Sequence, residues 1–169
     1  NKKIRKIFQT AKKPIIYKYQ GNKKTLSLIL AMHPAYIDMD LSTSPDLIKS
    51  VKKLSSRTKI ILSHHDFQKT PSDRELSAIA KKMLRQGADI LKIATTAKDF
   101  SDSLRMLSFL SHLNKDGHKS ICLCMGKEGQ ITRLSGHLFG NYLMYAPLDA
   151  KNKTAPGQIT LAKLSSLCR

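Results

Sequence analysis

The chain has 169 residues, 41% hydrophobic, with 8 Gly and 6 Pro, a composition that fits one globular domain over residues 1–169 and excludes a low-complexity tail. Its longest apolar runs, 26–32 and 121–125, fall far short of the roughly 20 residues a membrane span needs. The net charge is +18, and half of it comes from nine Lys/Arg between Asn1 and Ile37, a stretch with no acid. Such charge draws in nucleic acid, anionic membrane or an anionic small substrate. Aromatic residues make up only 6%, so a solvated basic surface is expected rather than a nucleic-acid site.

The opening Asn1-Lys2-Lys3 has no apolar stretch of a signal peptide and no Met, and the expectation is a start inside a longer chain. The first strand is expected at 14–19 and the second at 36–41. A helix over 45–55 carries Leu47, Ile48, Val51 and Leu54 at helical spacing. The third strand, 59–63, is a near-continuous apolar run that suits burial on both faces. Ser63-His64-His65-Asp66-Phe67 follows at its C-terminal end. Adjacent histidines face opposite ways in a strand, so one points inward. Metal ligation, a structural pair and general acid/base work all remain open for it.

A helix over 72–86 opens with Ser72 and Glu75, the spacing of a capping box, and stops at Gly87. The fourth strand, 89–95, contains Lys92 on the same face as Ile90 and Ala94. A lysine there either snorkels from a sheet edge or points into a dry interior, where desolvation favours the nucleophilic amine. A helix over 99–114 carries Leu104, Leu107, Leu110 and Leu113. The fifth strand, 120–125, holds Cys122 and Cys124. With Cys168 these read as reduced thiols in a cytoplasmic protein rather than as a disulfide or zinc set. Arg133 then reads, on its own, as an exposed helix arginine. A sixth strand is expected at 141–146. Thr154-Ala155-Pro156-Gly157-Gln158 is either a plain connection or a lid donating hydrogen bonds to a polar ligand, and a last helix covers 157–167.

Strand and helix alternate at the spacing of a parallel sheet covered by helices. No glycine-rich phosphate loop follows the first strand. The polar residues gather just after strand ends, where barrel enzymes place their chemistry.

Several segments together resemble the type I 3-dehydroquinate dehydratases. They are Ser63-His64-His65-Asp66-Phe67 with Thr70-Pro71, Ala88-Asp89-Ile90-Leu91-Lys92-Ile93-Ala94, Met125-Gly126-Lys127-Glu128-Gly129, Thr132-Arg133, Phe139-Gly140 and Thr154-Ala155-Pro156-Gly157-Gln158. The resemblance runs from Pro14 onward and implies a TIM (β/α)8-type barrel with about six of its eight βα units in this chain. It implies Lys92 as the amine that forms an imine with the ketone of 3-dehydroquinate, and His65 as the general acid/base. Arg133 would pair with the substrate carboxylate, and Thr154 and Gln158 would bind substrate from the lid. The implied product is 3-dehydroshikimate, in the shikimate pathway. No cofactor and no metal is implied, and a homodimer or a fusion to shikimate dehydrogenase would be a fitting assembly.

The chain also departs from the family pattern. Two further βα units, one carrying E-x-R-x-D, usually come first. The third strand of the family usually ends T-F-R with E-G-G shortly after, where this chain reads Tyr17-Lys18-Tyr19-Gln20-Gly21-Asn22-Lys23. The glutamate that orients the histidine is therefore absent from that place, while Asp38 and Asp40 stand at an acidic strand end that the family shares. Two alternatives stay open on the sequence: an impaired relic or binding module of the same fold, and a basic nucleic-acid-binding protein.

Overall fold

The structure is a computed structural model and describes residues 2–167. The expectation that Cys168 is a reduced thiol lies outside those residues. Among the described residues five parallel strands occur, β1 (Ile16–Lys18), β2 (Tyr36–Asp40), β3 (Lys59–Asp66), β4 (Ile90–Thr96) and β5 (Ser120–Met125), in sheet order β1-β2-β3-β4-β5. The helices are α1 (Lys2–Thr10), α2 (Lys23–Leu30), α3 (Pro45–Leu54), α4 (Asp73–Arg85), α5 (Phe100–Lys115), α6 (Gln130–Ser135) and α7 (Leu161–Leu167). The chain divides into two compact units, one of Asn1–Ser63 with Lys82–Ile90 and the other of His64–Lys81 with Leu91–Arg169.

In the first unit, β2 pairs with β1 from Tyr36 opposite Ile16, and with β3 from Tyr36 opposite Lys59. Ile37, Met39, Ile60, Ile61 and Leu62 are all fully buried, as strands covered on both faces must be. Ser44 caps α3 by accepting the Leu47 N–H, and Ile48 and Val51 turn inward. One polar network interrupts this core. The buried Asp38 carboxylate accepts from the Lys18 ammonium and from the Ser63 hydroxyl, each at 2.7 Å. Lys18 belongs to the strand whose end departs from the family pattern, and it supplies the charge that a buried carboxylate requires.

In the second unit β4 and β5 pair in parallel, with Lys92 opposite Ile121. Every residue of β5 is buried, under the Met106, Leu107, Leu110 and Leu113 face of α5. Cys122 and Cys124 are free thiols. Burial pushes both thiols up, so both stay protonated. Thr70 bonds Thr95 at 2.9 Å and the Thr96 carbonyl at 3.0 Å, which ties the loop after β3 to β4.

The expected sixth strand at 141–146 is not a strand. Asn141 is the reason: its side-chain oxygen accepts the Cys122 N–H at 2.8 Å and its amide donates to the Cys122 carbonyl at 3.1 Å. A side chain thus occupies the ladder position that a strand backbone would take. The Tyr142 N–H reaches the Ser120 carbonyl at 2.8 Å, and Thr132 Oγ1 accepts the Cys124 N–H at 2.8 Å. The outer edge of β5 is therefore satisfied by its own chain. The last helix starts at Leu161 and not at Gly157, because Gly157 has φ +76° in a loop closed on itself.

Candidate functional site

Three elements and one loop of the second unit deliver the polar residues singled out in the sequence. β3 ends at Asp66, whose carboxylate accepts the N–H groups of Gln68 and Lys69 at 2.8 and 3.0 Å. This Asx-type turn ends the strand one residue after His65. Phe67 is 69% exposed, and its ring stacks on His65 with centroids 6.1 Å apart on the wall of the same cavity.

Lys92 is the third residue of β4, half-buried between the buried Leu91 and Ile93. Its Nζ lies 4.3 Å from the centroid of the Tyr145 ring. Arg133 rides on α6, which Thr132 fixes to β5 by donating to the Gly129 carbonyl at 2.7 Å while accepting from Cys124. Arg133 is only 7% exposed, against the exposed helix arginine that spacing alone suggests. Its Nε has no hydrogen-bond partner among the described residues. Burial pulls the guanidinium down from its ordinary value, though not far enough to discharge a group of this kind. A buried cation in this condition is suited to an incoming anion.

The loop Thr154 to Gln158 closes through its last residue. Gln158 Oε1 accepts the Thr154 N–H at 2.7 Å and the Ala155 N–H at 3.3 Å, and Gln158 Nε2 donates to Thr154 Oγ1 at 3.2 Å. Gly157 packs directly on the Gly126 carbonyl, where any Cβ would collide. The loop is thus a preformed turn seated on the end of β5.

His65, Lys92, Arg133, Thr154 and Gln158 all line one cavity of about 180 Å³, together with Tyr145 and an apolar floor of Ala94, Leu123 and Met125. His64 is not among the lining residues. Among the described residues no group of three or more His, Cys, Asp or Glu could hold a metal ion. The arrangement offers an amine, an imidazole and a guanidinium around a small, partly apolar space, which suits a carboxylate-bearing carbonyl compound. Sequence reasoning missed Tyr145. The apolar run at 142–146 is the available signal, and it indicates a strand rather than a ring over the lysine.

Comparison with known proteins places the chain among relatives. A family model described as type I 3-dehydroquinase matches residues 3–169. The chain is 36% identical over 154 residues to the chloroplastic bifunctional 3-dehydroquinate dehydratase/shikimate dehydrogenase of Arabidopsis thaliana, covering 88% of this chain and 25% of that protein. It is 39% identical over 134 residues to a 3-dehydroquinate dehydratase of Methanococcus maripaludis, covering 78% and 59%. It therefore spans less than two thirds of the length of either relative. Among solved structures, the 3-dehydroquinate dehydratase of Geobacillus kaustophilus superposes with a TM-score of 0.80 at 26% identity, covering 92% of this chain and 66% of that one. The type I enzyme of Clostridium difficile, solved with covalently modified comenic acid, gives 0.82 at 25%, covering 99% and 74%.

Proposed function

Because the chain belongs to the type I 3-dehydroquinase family, we propose that it carries the Schiff-base chemistry of a 3-dehydroquinate dehydratase. The observation that supports this most is a half-buried strand lysine and a buried arginine with an unpartnered Nε on one cavity. The proposed substrate has one group for each, a ketone and a carboxylate.

The steps balance as follows. The Lys92 amine adds to the C3 ketone, and the ketone oxygen leaves as water, giving a protonated imine. That cation withdraws electrons from C2, and His65 takes the C2 proton. The electron pair moves to form the C1–C2 double bond, and the C1 hydroxyl departs as water with a proton returned from His65. Hydrolysis consumes one water and frees Lys92 and 3-dehydroshikimate, so one water is lost overall. Arg133 receives the carboxylate in its planar fork. Gln158 keeps the loop in shape beside Thr154, with a second amide hydrogen to offer a substrate hydroxyl.

A fusion to shikimate dehydrogenase, as in the bifunctional plant relative, fits this reading, as does a homodimer. Cytoplasmic residence fits the buried, protonated Cys122 and Cys124. The second reading, a relic of the same fold, draws on Gln20 and on the absence of the family's glutamate beside it. The test is the ultraviolet absorbance of the conjugated product on addition of 3-dehydroquinate. We expect it to grow with the parent chain and to vanish with Lys92→Ala. A parent chain that produces none is the relic.

A further inference from the structure

We propose that Tyr145 is a positioning residue for Lys92, its ring face serving as the platform on which the reacting nitrogen rests. This inference depends on the reading of Lys92 as the imine-forming amine and concerns what holds it in place.

A lysine nitrogen ends a flexible four-carbon stem, and a strand fixes only the base of that stem. Reaction requires the nitrogen itself to sit in a narrow range of positions relative to the ketone carbon. The Lys92 Nζ lies 4.3 Å from the Tyr145 ring centroid, within the range of a cation over an aromatic face. The nitrogen carries positive charge as an ammonium and again as the protonated imine. The same ring face attracts both cationic forms, so the nitrogen starts and ends the addition in one place.

The platform is itself held. Asn141 clips the segment onto β5 through both backbone groups of Cys122, and the Tyr142 N–H bonds Ser120. These bonds lie only three to four residues before Tyr145, and they use the edge of the strand that pairs with the Lys92 strand. Replacing a sixth strand by a side-chain clip therefore sets where the ring lies. Tyr145 and Lys92 both line the cavity, so the contact is part of its wall.

The test compares the parent chain with Tyr145→Phe and Tyr145→Leu. It measures the rate at which borohydride fixes 3-dehydroquinate to Lys92, the affinity for quinate (a carboxylate without the ketone), and thermal melting. Phenylalanine keeps the ring face, whereas leucine keeps bulk without it. Trapping should slow about ten-fold in the leucine variant and stay within about two-fold in the phenylalanine variant, with quinate affinity and melting unchanged. Equal rates in all three chains overturn the proposal. So does an equal loss in both variants, which would assign the effect to the hydroxyl, or a parallel fall in quinate affinity, which would make the ring ordinary lining. A parent chain that takes no label on Lys92 overturns this proposal together with the dehydratase reading, whereas a labelled parent with no effect of the ring overturns this one alone.

Discussion

Arg133 carries a cost that packing does not require. Its guanidinium is 7% exposed, its Nε lacks a partner among the described residues, and burial works against its charge. Groups in that condition are retained for binding and not for stability. Arg133→Leu should therefore melt no lower than the parent, and gain up to about 1–3 kcal/mol, while ligand binding collapses. Thermal melting with and without quinate checks both halves, and a large loss of stability would make Arg133 a structural residue. Arg133→Lys keeps charge and loses the fork, so KM should rise about ten-fold or more, at roughly 1.4 kcal/mol per ten-fold, with a smaller change in kcat. Much of this was legible in the sequence. Period-two alternation put Lys92 on one face with Ile90 and Ala94, and motif order marked His65 and Arg133. The burial of Arg133 was not legible, because α6 has only six residues and too short a helix shows no stripe. Tyr145 was hidden because its place depends on Asn141 acting as a backbone mimic.

At the scale of elements, capping chemistry was read correctly and edge chemistry was not. Ser72 and Glu75 form the expected box at the start of α4, with the Ser72 N–H donating to the Glu75 carboxylate at 2.8 Å and Ser72 Oγ accepting the Glu75 N–H at 3.4 Å. The Ser72 hydroxyl and N–H, and then the Lys69 charge, hold the Glu75 carboxyl below the usual carboxylate range. A carboxylate lowered by folding stabilises the native state above its unfolded value, and that contribution is lost as pH falls through the folded one. Glu75→Gln should therefore flatten the acid end of a stability-versus-pH curve and leave its neutral slope alone. An unchanged acid limb would contradict the assignment. Asn141→Ala should cost more, about 1–3 kcal/mol for each backbone group left without a partner at Cys122. It should also open the β5 edge to pairing with a second chain, which size-exclusion chromatography would show as a shift toward larger species. A monodisperse variant with the stability of the parent would show that the clip is incidental. The expected sixth strand fails because an apolar run at 142–146 cannot reveal that a side chain already fills the ladder.

For the whole molecule, alternation of strand and helix was enough to indicate a parallel α/β sheet. The matching solved structures place the chain in the type I barrel fold. The helices α1 and α2 are not among the expected elements: α1 buries no residue, and the apolar run of α2 is too continuous to show a helical period. The +18 charge has its own consequence. A field of that sign draws an anionic substrate toward the protein, and salt screens it. Catalysis should weaken only mildly with salt, in contrast to the steep, many-ion slope of nucleic-acid binding. The most direct test of the central claim is borohydride reduction of the chain with saturating 3-dehydroquinate, read by peptide mass spectrometry beside a full-length type I relative. We expect a stable secondary amine on Lys92 of this chain and on a single lysine of the relative, absent when ligand or borohydride is withheld. Labelling of the relative with none on Lys92 would contradict it.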